Sequence, residues 1–263
     1  MPMCADICTN KGSAQRFRAA LDKVVTLSPR ERHGIGMQME KTLHAVLKAY
    51  EDPDEDHHEI PVGSFIADIY HDGSITEIQT ANLGYLRPKL KEFLPEYEVT
   101  VVYPIAARKW ITWIDPETGN LEKRSRSPKK GTYYHAFREL YRIRPYLSDP
   151  HLRIKLILLE LEEYRLRDGW GRDGKRGSHR YDYMPTGIIG ETLLTQPMDY
   201  MQFIPYPLEE PFTAAELARA CGAGRQSFST VALLLTELGV LRRVGKRGNA
   251  YLYRVKEQED TSI

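Results

Sequence analysis

The sequence predicts an α/β fold, a mixed sheet flanked by helices, followed by a second and smaller module. The first observation is a hairpin signal, Asp72-Gly73, set between two short alternating runs, Phe65 to Tyr70 and Ile75 to Thr80. Asp-Gly favours a two-residue turn because both central residues need positive φ. The second is that an amphipathic helical pattern stands on either side of the hairpin, before a β-branched and aromatic run, Tyr97 to Ile105. The third is a proline-rich stretch, Pro205 to Pro211, beyond which two short helical patterns lead into a basic hairpin.

Composition narrows the class. The chain has 263 residues, 41% of them hydrophobic and 28% charged, with a net charge of +1, as in ordinary globular proteins. No run of about 18 apolar residues is present, so no membrane span is expected. The N-terminus has no signal-peptide pattern. The 3 cysteines, Cys4, Cys8 and Cys221, form no CxxC pair and argue against disulfides and a structural zinc site. A cytoplasmic location is expected.

In chain order, residues 1–27 read as an N-terminal extension, with mobile residues up to Gly12 and a short helix from Ala14 to Val25. Gly36 to Tyr50 reads as a helix, since Met39, Leu43, Val46, Leu47 and Tyr50 repeat at three and four residues. Glu40 falls on that stripe with His44 one turn along, and a carboxylate there needs a partner or a metal. Glu51 to Glu59, EDPDEDHHE, reads as a solvated loop because consecutive like charges resist ordering. Leu83 to Leu94 reads as a helix with Pro88 in its first turn and Lys89 and Lys91 on its surface.

Lys109 to Asp115 reads as a strand, Pro116 to Gly119 as a turn, and Leu121 onward as a returning strand that enters a basic run, Lys123, Arg124, Arg126, Lys129 and Lys130. Thr132 to Arg142 reads as a helix and Leu152 to Tyr164 as a strand. Arg165 to Arg180, with Trp170, Arg172, Lys175 and Arg176, reads as a basic glycine-rich loop. Both basic segments suit a phosphate backbone. The domains implied are a body over 28–204, a linker over 205–211, a module over 212–256 and a tail over 257–263.

In the module, Thr213-x-x-Glu216 is a capping box opening a helix to Cys221. Gln226 to Leu238 reads as a second helix. Arg242 to Arg254 reads as two strands around Gly245 to Asn249. This order resembles a winged helix. The resemblance makes Arg225, Gln226, Ser227 and Ser229 the start of a recognition helix, and Lys246 and Arg247 the tip of the wing.

The hairpin carries the chemistry. With Asp72-Gly73 as the turn, Tyr70 faces Ile75 and Asp68 faces Glu77, and alternation puts Asp68, Glu77 and Gln79 on one face. Two carboxylates about 5 Å apart repel by roughly 3 kcal/mol at an effective dielectric near 20. A hard divalent cation is one compensation.

The order helix, hairpin, helix, strand resembles the core of the PD-(D/E)xK nuclease superfamily, the restriction-endonuclease-like fold. Glu40 matches its helix acid, Asp68 its strand aspartate, and Glu77-Ile78-Gln79 its (D/E)-x-K motif. The resemblance implies a Mg²⁺-dependent endonuclease, with Mn²⁺ as a substitute, acting on double-stranded DNA, possible as a homodimer. Asp68, Glu77, Glu40 and the Ile78 carbonyl would be the ligands. Gln79 departs from the pattern, since an amide carries no charge; it would orient water, and Lys89 or Lys91 would supply the charge. The alternatives are a DNA-binding regulator with an inactive core, and an RNA-processing nuclease.

Overall fold

The computed structural model describes residues 11–27, 41–115, 117–170, 176–223 and 228–256. Its centre is a sheet with both parallel and antiparallel pairs. Strands β1 (His58–Val62), β2 (Phe65–His71) and β3 (Ser74–Ile78) form an antiparallel meander. Then β3 runs parallel to β4 (Glu98–Ile114), β4 runs parallel to β6 (Leu152–Trp170), and β7 (Arg176–Leu194) returns antiparallel to β6. A short strand, β5 (Leu121–Arg126), pairs with the far half of β4, so β3 and β5 take successive halves of one edge. The architecture is the expected α/β one, a large mixed sheet with helices on its faces.

The hairpin forms as read. His71 pairs with Ser74 and Tyr70 with Ile75. Asp72 and Gly73 take φ of 47° and 76°, the double left-handed turn that Asp-Gly tolerates. Strand β4 joins two predicted strands into one. The alternation breaks at Ala107, where the register against β6 shifts; a bulge inserts one residue without ending the strand. The expected basic loop at 165–180 is also largely strand, because β6 continues to Trp170 and β7 starts at Arg176. Arg165 is neutralised there by Glu163 at 2.6 Å.

Helices cover the two faces. On one lie α1 (Lys11–Leu27) and α2 (Lys41–Glu51). Phe17, Val46, Leu47 and Tyr50 pack there on Ile69, Ile78, Val102 and Ile157. The apolar stripe of α2 is thus the buried one, as its spacing requires. The helix read at Ala14–Val25 is longer, and it belongs to the body rather than to an extension. The Phe17 ring meets Tyr50 edge-on at 5.5 Å, and Ser13 Oγ donates to Glu191 of β7 at 2.7 Å. The mobility expected for residues 1–10, the start of the helix read from Gly36, and Glu40 lie outside the described residues.

On the opposite face α3 (Arg87–Phe93) carries Pro88 in its first turn. Leu90 and Phe93 pack on Ile75, Val99 and Val101, and α4 (Phe137–Leu140) adds Phe137 and Leu140 to the same core. The helix read at Thr132–Arg142 is broken into short turns around α4, with Pro145 beyond it.

The C-terminal module has a three-stranded sheet, order β8-β10-β9, from β8 (Phe212–Thr213), β9 (Leu241–Arg247) and β10 (Ala250–Val255). Helices α5 (Ala214–Ala220) and α6 (Ser229–Glu237) pack on it. The Thr213 hydroxyl accepts from the Glu216 N–H at 3.2 Å, while the Glu216 carboxylate accepts from the Thr213 N–H at 2.7 Å, a reciprocal cap. The module shares the body's core. Phe228 meets Tyr134 at a tilt with ring centroids 4.9 Å apart, Arg144 pairs with Glu237 at 3.3 Å, and Leu208 of the expected linker packs against the same cluster.

Candidate active site

The hairpin ladder between β2 and β3 closes at Ile69 and Thr76. One step on, the Asp68 side chain takes the next rung: its Oδ2 accepts the Ile78 N–H at 2.7 Å. The Gln79 N–H turns the other way and donates to the Val102 carbonyl at 3.0 Å. Within a strand the N–H and C=O of one residue point to the same neighbour, so the Ile78 carbonyl faces the gap beside Asp68. The Ile78 side chain is buried in the core on the α2 face.

The two acids are served from opposite faces. His44 of α2 places Nε2 3.3 Å from Asp68 Oδ2. Lys89 of α3 donates to both Glu77 oxygens, at 2.8 and 2.7 Å, and to the Ile66 carbonyl at 2.7 Å. The expectation that Asp68, Glu77 and Gln79 share one face is therefore corrected. The strands part at Asp68, and its carboxylate bonds in the plane of the sheet instead of standing out from it. The Gln79 amide donates to the Asn82 carbonyl at 3.3 Å and is turned toward the loop after β3.

Electrostatics separate the pair. Glu77 is only 2% exposed. Burial, and then the charge of Asp68, push its carboxyl up to about 7 against the pull of Lys89. Asp68, with 19% of its side chain exposed, moves the other way. Burial opposes its ionisation, but His44 and the Ile78 N–H outweigh that and hold the carboxyl below its ordinary value. At neutral pH the site holds one firmly ionised carboxylate and one poised to lose its proton, with a lysine on the second.

Of the two lysines expected near the pair, Lys89 contacts Glu77, whereas Lys91 lies on the exposed side of α3. The sequence shows His44 only as a neighbour of Glu40; its bond to Asp68 crosses 24 residues, and spacing within one helix cannot reveal it. Beside the site, Asn82, Gly84, Tyr85, Arg87, Tyr141, Arg142 and Arg144 line a cleft of about 370 Å³.

The basic candidates divide. Arg124 gives its charge to Glu162, with Nη2 2.8 Å from Oε2, and lies 4.0 Å over the Trp110 ring. Arg126, Lys129 and Lys130 are exposed. In the module Arg247 pairs with Glu216 at 2.7 Å and so fastens the wing to α5. Lys246 lies over the Tyr251 ring at 4.9 Å, beside exposed Arg242 and Arg243. The helix α6 buries Val231, Ala232, Leu234 and Leu235 and leaves Ser229 and Glu237 exposed, so little of it is free to enter a groove. Arg172, Lys175, Arg225, Gln226 and Ser227 lie outside the described residues, as does the side chain of Arg176.

Residues 41–195 match the family described as Domain of unknown function (DUF8091). The chain is 30% identical over 222 residues to a Treponema pallidum (strain Nichols) protein that bears the name "Uncharacterized protein", an alignment covering 84% of this chain and 87% of that one. No solved structure matches the chain. No helix among the described residues is long and apolar enough to cross a membrane.

Proposed function

We propose that this chain, which belongs to the DUF8091 family, is a metal-dependent nuclease that hydrolyses phosphodiester bonds of DNA at the Asp68–Glu77 pair. The observation that carries this reading is Lys89 on both oxygens of a buried Glu77, beside an ionised Asp68 at a strand opening. Buried like charges survive only with compensation, and a site that raises a carboxyl to about 7 has charge to spare for a cation.

The donor set fits a hard ion. Asp68, Glu77 and the Ile78 carbonyl would hold Mg²⁺ or Mn²⁺ through oxygen. When bound, such an ion activates a water and neutralises charge developing on phosphate. His44 fixes the orientation of Asp68. Lys89 opposes the rise in the Glu77 carboxyl that burial causes and would supply the positive charge that Gln79 lacks. Arg126, Lys129 and Lys130, with Arg242, Arg243 and Lys246 of the wing, would meet the phosphate backbone. A homodimer would supply the second centre that a double-strand break needs.

A second reading, a DNA-binding regulator with an inactive core, is favoured by the Gln79 amide facing Asn82 and by Lys89 occupying both Glu77 oxygens. Cleavage separates the two. Plasmid DNA and single-stranded RNA are incubated at pH 8 with Mg²⁺, Mn²⁺ or chelator, using the native chain and Asp68→Ala. The nuclease reading expects cation-dependent cleavage that falls more than about 100-fold in the variant, because losing even an outer partner of a metal ligand costs about 10–100-fold. Salt-sensitive DNA binding without cleavage supports the regulator instead. Cleavage confined to RNA reassigns the substrate.

A further inference from the structure

We propose that Asp52, His57 and His71 form a transition-metal site, with zinc as the ion its donors suit, which clips the outer edge of the sheet. The site shares no residue with the Asp68–Glu77 pair and does not rest on the nuclease reading.

The sequence makes these residues part of a charged stretch and a hairpin end. The structure orders both. A short turn, Glu55–His57, is capped by Asp54, whose side chain accepts from the Asp56 N–H. It leads directly into β1, whose His58 pairs with Ile69 of β2. That register brings His57 alongside the last residue of β2, His71, next to the Asp72-Gly73 turn. The pairing of β1 with β2 thus brings His57 to His71, and Asp52, just past the end of α2, joins them through its bond to His57.

Its donors converge. Asp52 Oδ2 is 2.7 Å from His57 Nδ1, and His71 Nδ1 is 2.8 and 3.0 Å from the two ring nitrogens of His57. The rings meet nearly edge-on, with centroids 4.0 Å apart and planes at 83°. One donor atom from each residue lies within 4.8 Å of the others. A hydrogen bond to an imidazole runs along the in-plane direction of one ring nitrogen, and the directions of the two nitrogens diverge, so a nitrogen almost equidistant from both is not explained as a simple hydrogen bond. Ligands 2.0–2.1 Å from a tetrahedral ion stand about 3.3 Å apart, roughly half an ångström wider than the shortest spacings found, so the side chains part slightly to admit the ion.

The outer shell has the form that ligands need. His71 turns Nε2 to Asp72 Oδ2 at 2.9 Å, which leaves Nδ1 facing the site; metal-bound imidazoles commonly give their other N–H to a carboxylate. Asp52 Oδ1 accepts the Asp54 N–H at 2.9 Å, so Oδ2 is the oxygen presented. His58 Nε2 is 2.9 Å from the Asp52 carbonyl and steadies the backbone. Asp54 Oδ2 stands 3.9 Å from His57 Nε2 and adds negative charge. Two imidazoles and one carboxylate favour zinc over Mg²⁺ or Ca²⁺, which prefer oxygen. Three protein ligands leave a fourth position to water, and His71, with 48% of its side chain exposed, makes the site accessible.

The test uses the full chain after chelator treatment. Zn²⁺ is titrated by calorimetry and Co²⁺ by visible absorption, for the native protein, His57→Ala, His71→Ala and Asp68→Ala. The expected result is one equivalent bound with tetrahedral Co²⁺ bands, unchanged in Asp68→Ala and at least 100-fold weaker in both histidine variants. His71 is exposed and its loss does not threaten folding. His71→Cys should restore binding and add a sulfur-to-cobalt charge-transfer band. No saturable uptake by the native chain, or equal uptake by native and His71→Ala proteins, would overturn the proposal; the latter would place the ion elsewhere, with the cysteines the first alternative.

Discussion

Lys89→Met is expected to cost about 2 kcal/mol of folding stability at pH 8, about 1 from the lost hydrogen bonds and about 1 more because Glu77, whose carboxyl sits at about 7 in the native chain, must then take up a proton at pH 8. Glu77 is 2% exposed, and both its oxygens are held by that one ammonium. Methionine fills much of the same volume, so the loss reports charge rather than a cavity. The loss depends on pH. With its carboxyl already raised to about 7, Glu77 stripped of Lys89 takes up a proton more readily still. At pH 5.5 the stranded charge is gone, and the loss should shrink to about 1 kcal/mol, the scale of an ordinary hydrogen bond. Lys91→Met, on the exposed side of the same helix, should stay within about 0.5 kcal/mol at either pH. Urea midpoints at the two pH values provide the measurement; equal losses at pH 5.5 and 8 would show that Lys89 acts through packing.

Glu77→Gln has the opposite sign. The Glu77 carboxyl is raised from 4.5 to about 7 on folding, so the folded chain holds this proton more tightly than the unfolded one. Its contribution to stability is fully present below pH 4.5 and is lost as pH rises through about 7. The difference amounts to roughly 3 kcal/mol. Glutamine keeps the shape and an acceptor for Lys89 without ionising. Glu77→Gln should therefore exceed the native chain at pH 8 by up to about 3 kcal/mol, with the gain vanishing near pH 4.5. It should also abolish cleavage. A side chain that costs stability where it is ionised, and is needed for activity there, marks a functional acid. A variant less stable than the native chain at pH 8 would show that the ion pair is structural.

What the sequence revealed and what it hid have physical causes. The hairpin was legible because its turn is local: Asp72 and Gly73 fix the register by φ alone. A lysine of α3 beside the pair was legible from the surface positions of Lys89 and Lys91, but which of them meets Glu77 was not. Long strands were harder to see. In β4 the bulge at Ala107 interrupts the alternation that identifies a strand, and in β6 and β7 the basic, glycine-rich composition reads as loop although β6 carries its own compensation, Glu163 pairing with Arg165 two residues on. The Asp52–His57–His71 group was hidden by its surroundings. EDPDEDHHE has the composition of a solvated run, and only the pairing of β1 with β2 brings it to His71. Two histidines leading into a strand, and a third at a hairpin end, were the available signal. The split of Asp68 and Glu77 between α2 and α3 was out of reach, because it arises where β2 parts from β3.

On the proposed reading, Asp68 and Glu77 together hold one hard divalent cation. Calorimetric titration of Mn²⁺ at pH 8, with the histidine edge site removed by His71→Ala in every sample, tests it most directly. One ion should bind, and adding Asp68→Ala or Glu77→Gln should each weaken that binding at least tenfold. Identical isotherms with and without those substitutions would contradict the claim and leave the pair as a structural contact between β2, β3 and α3.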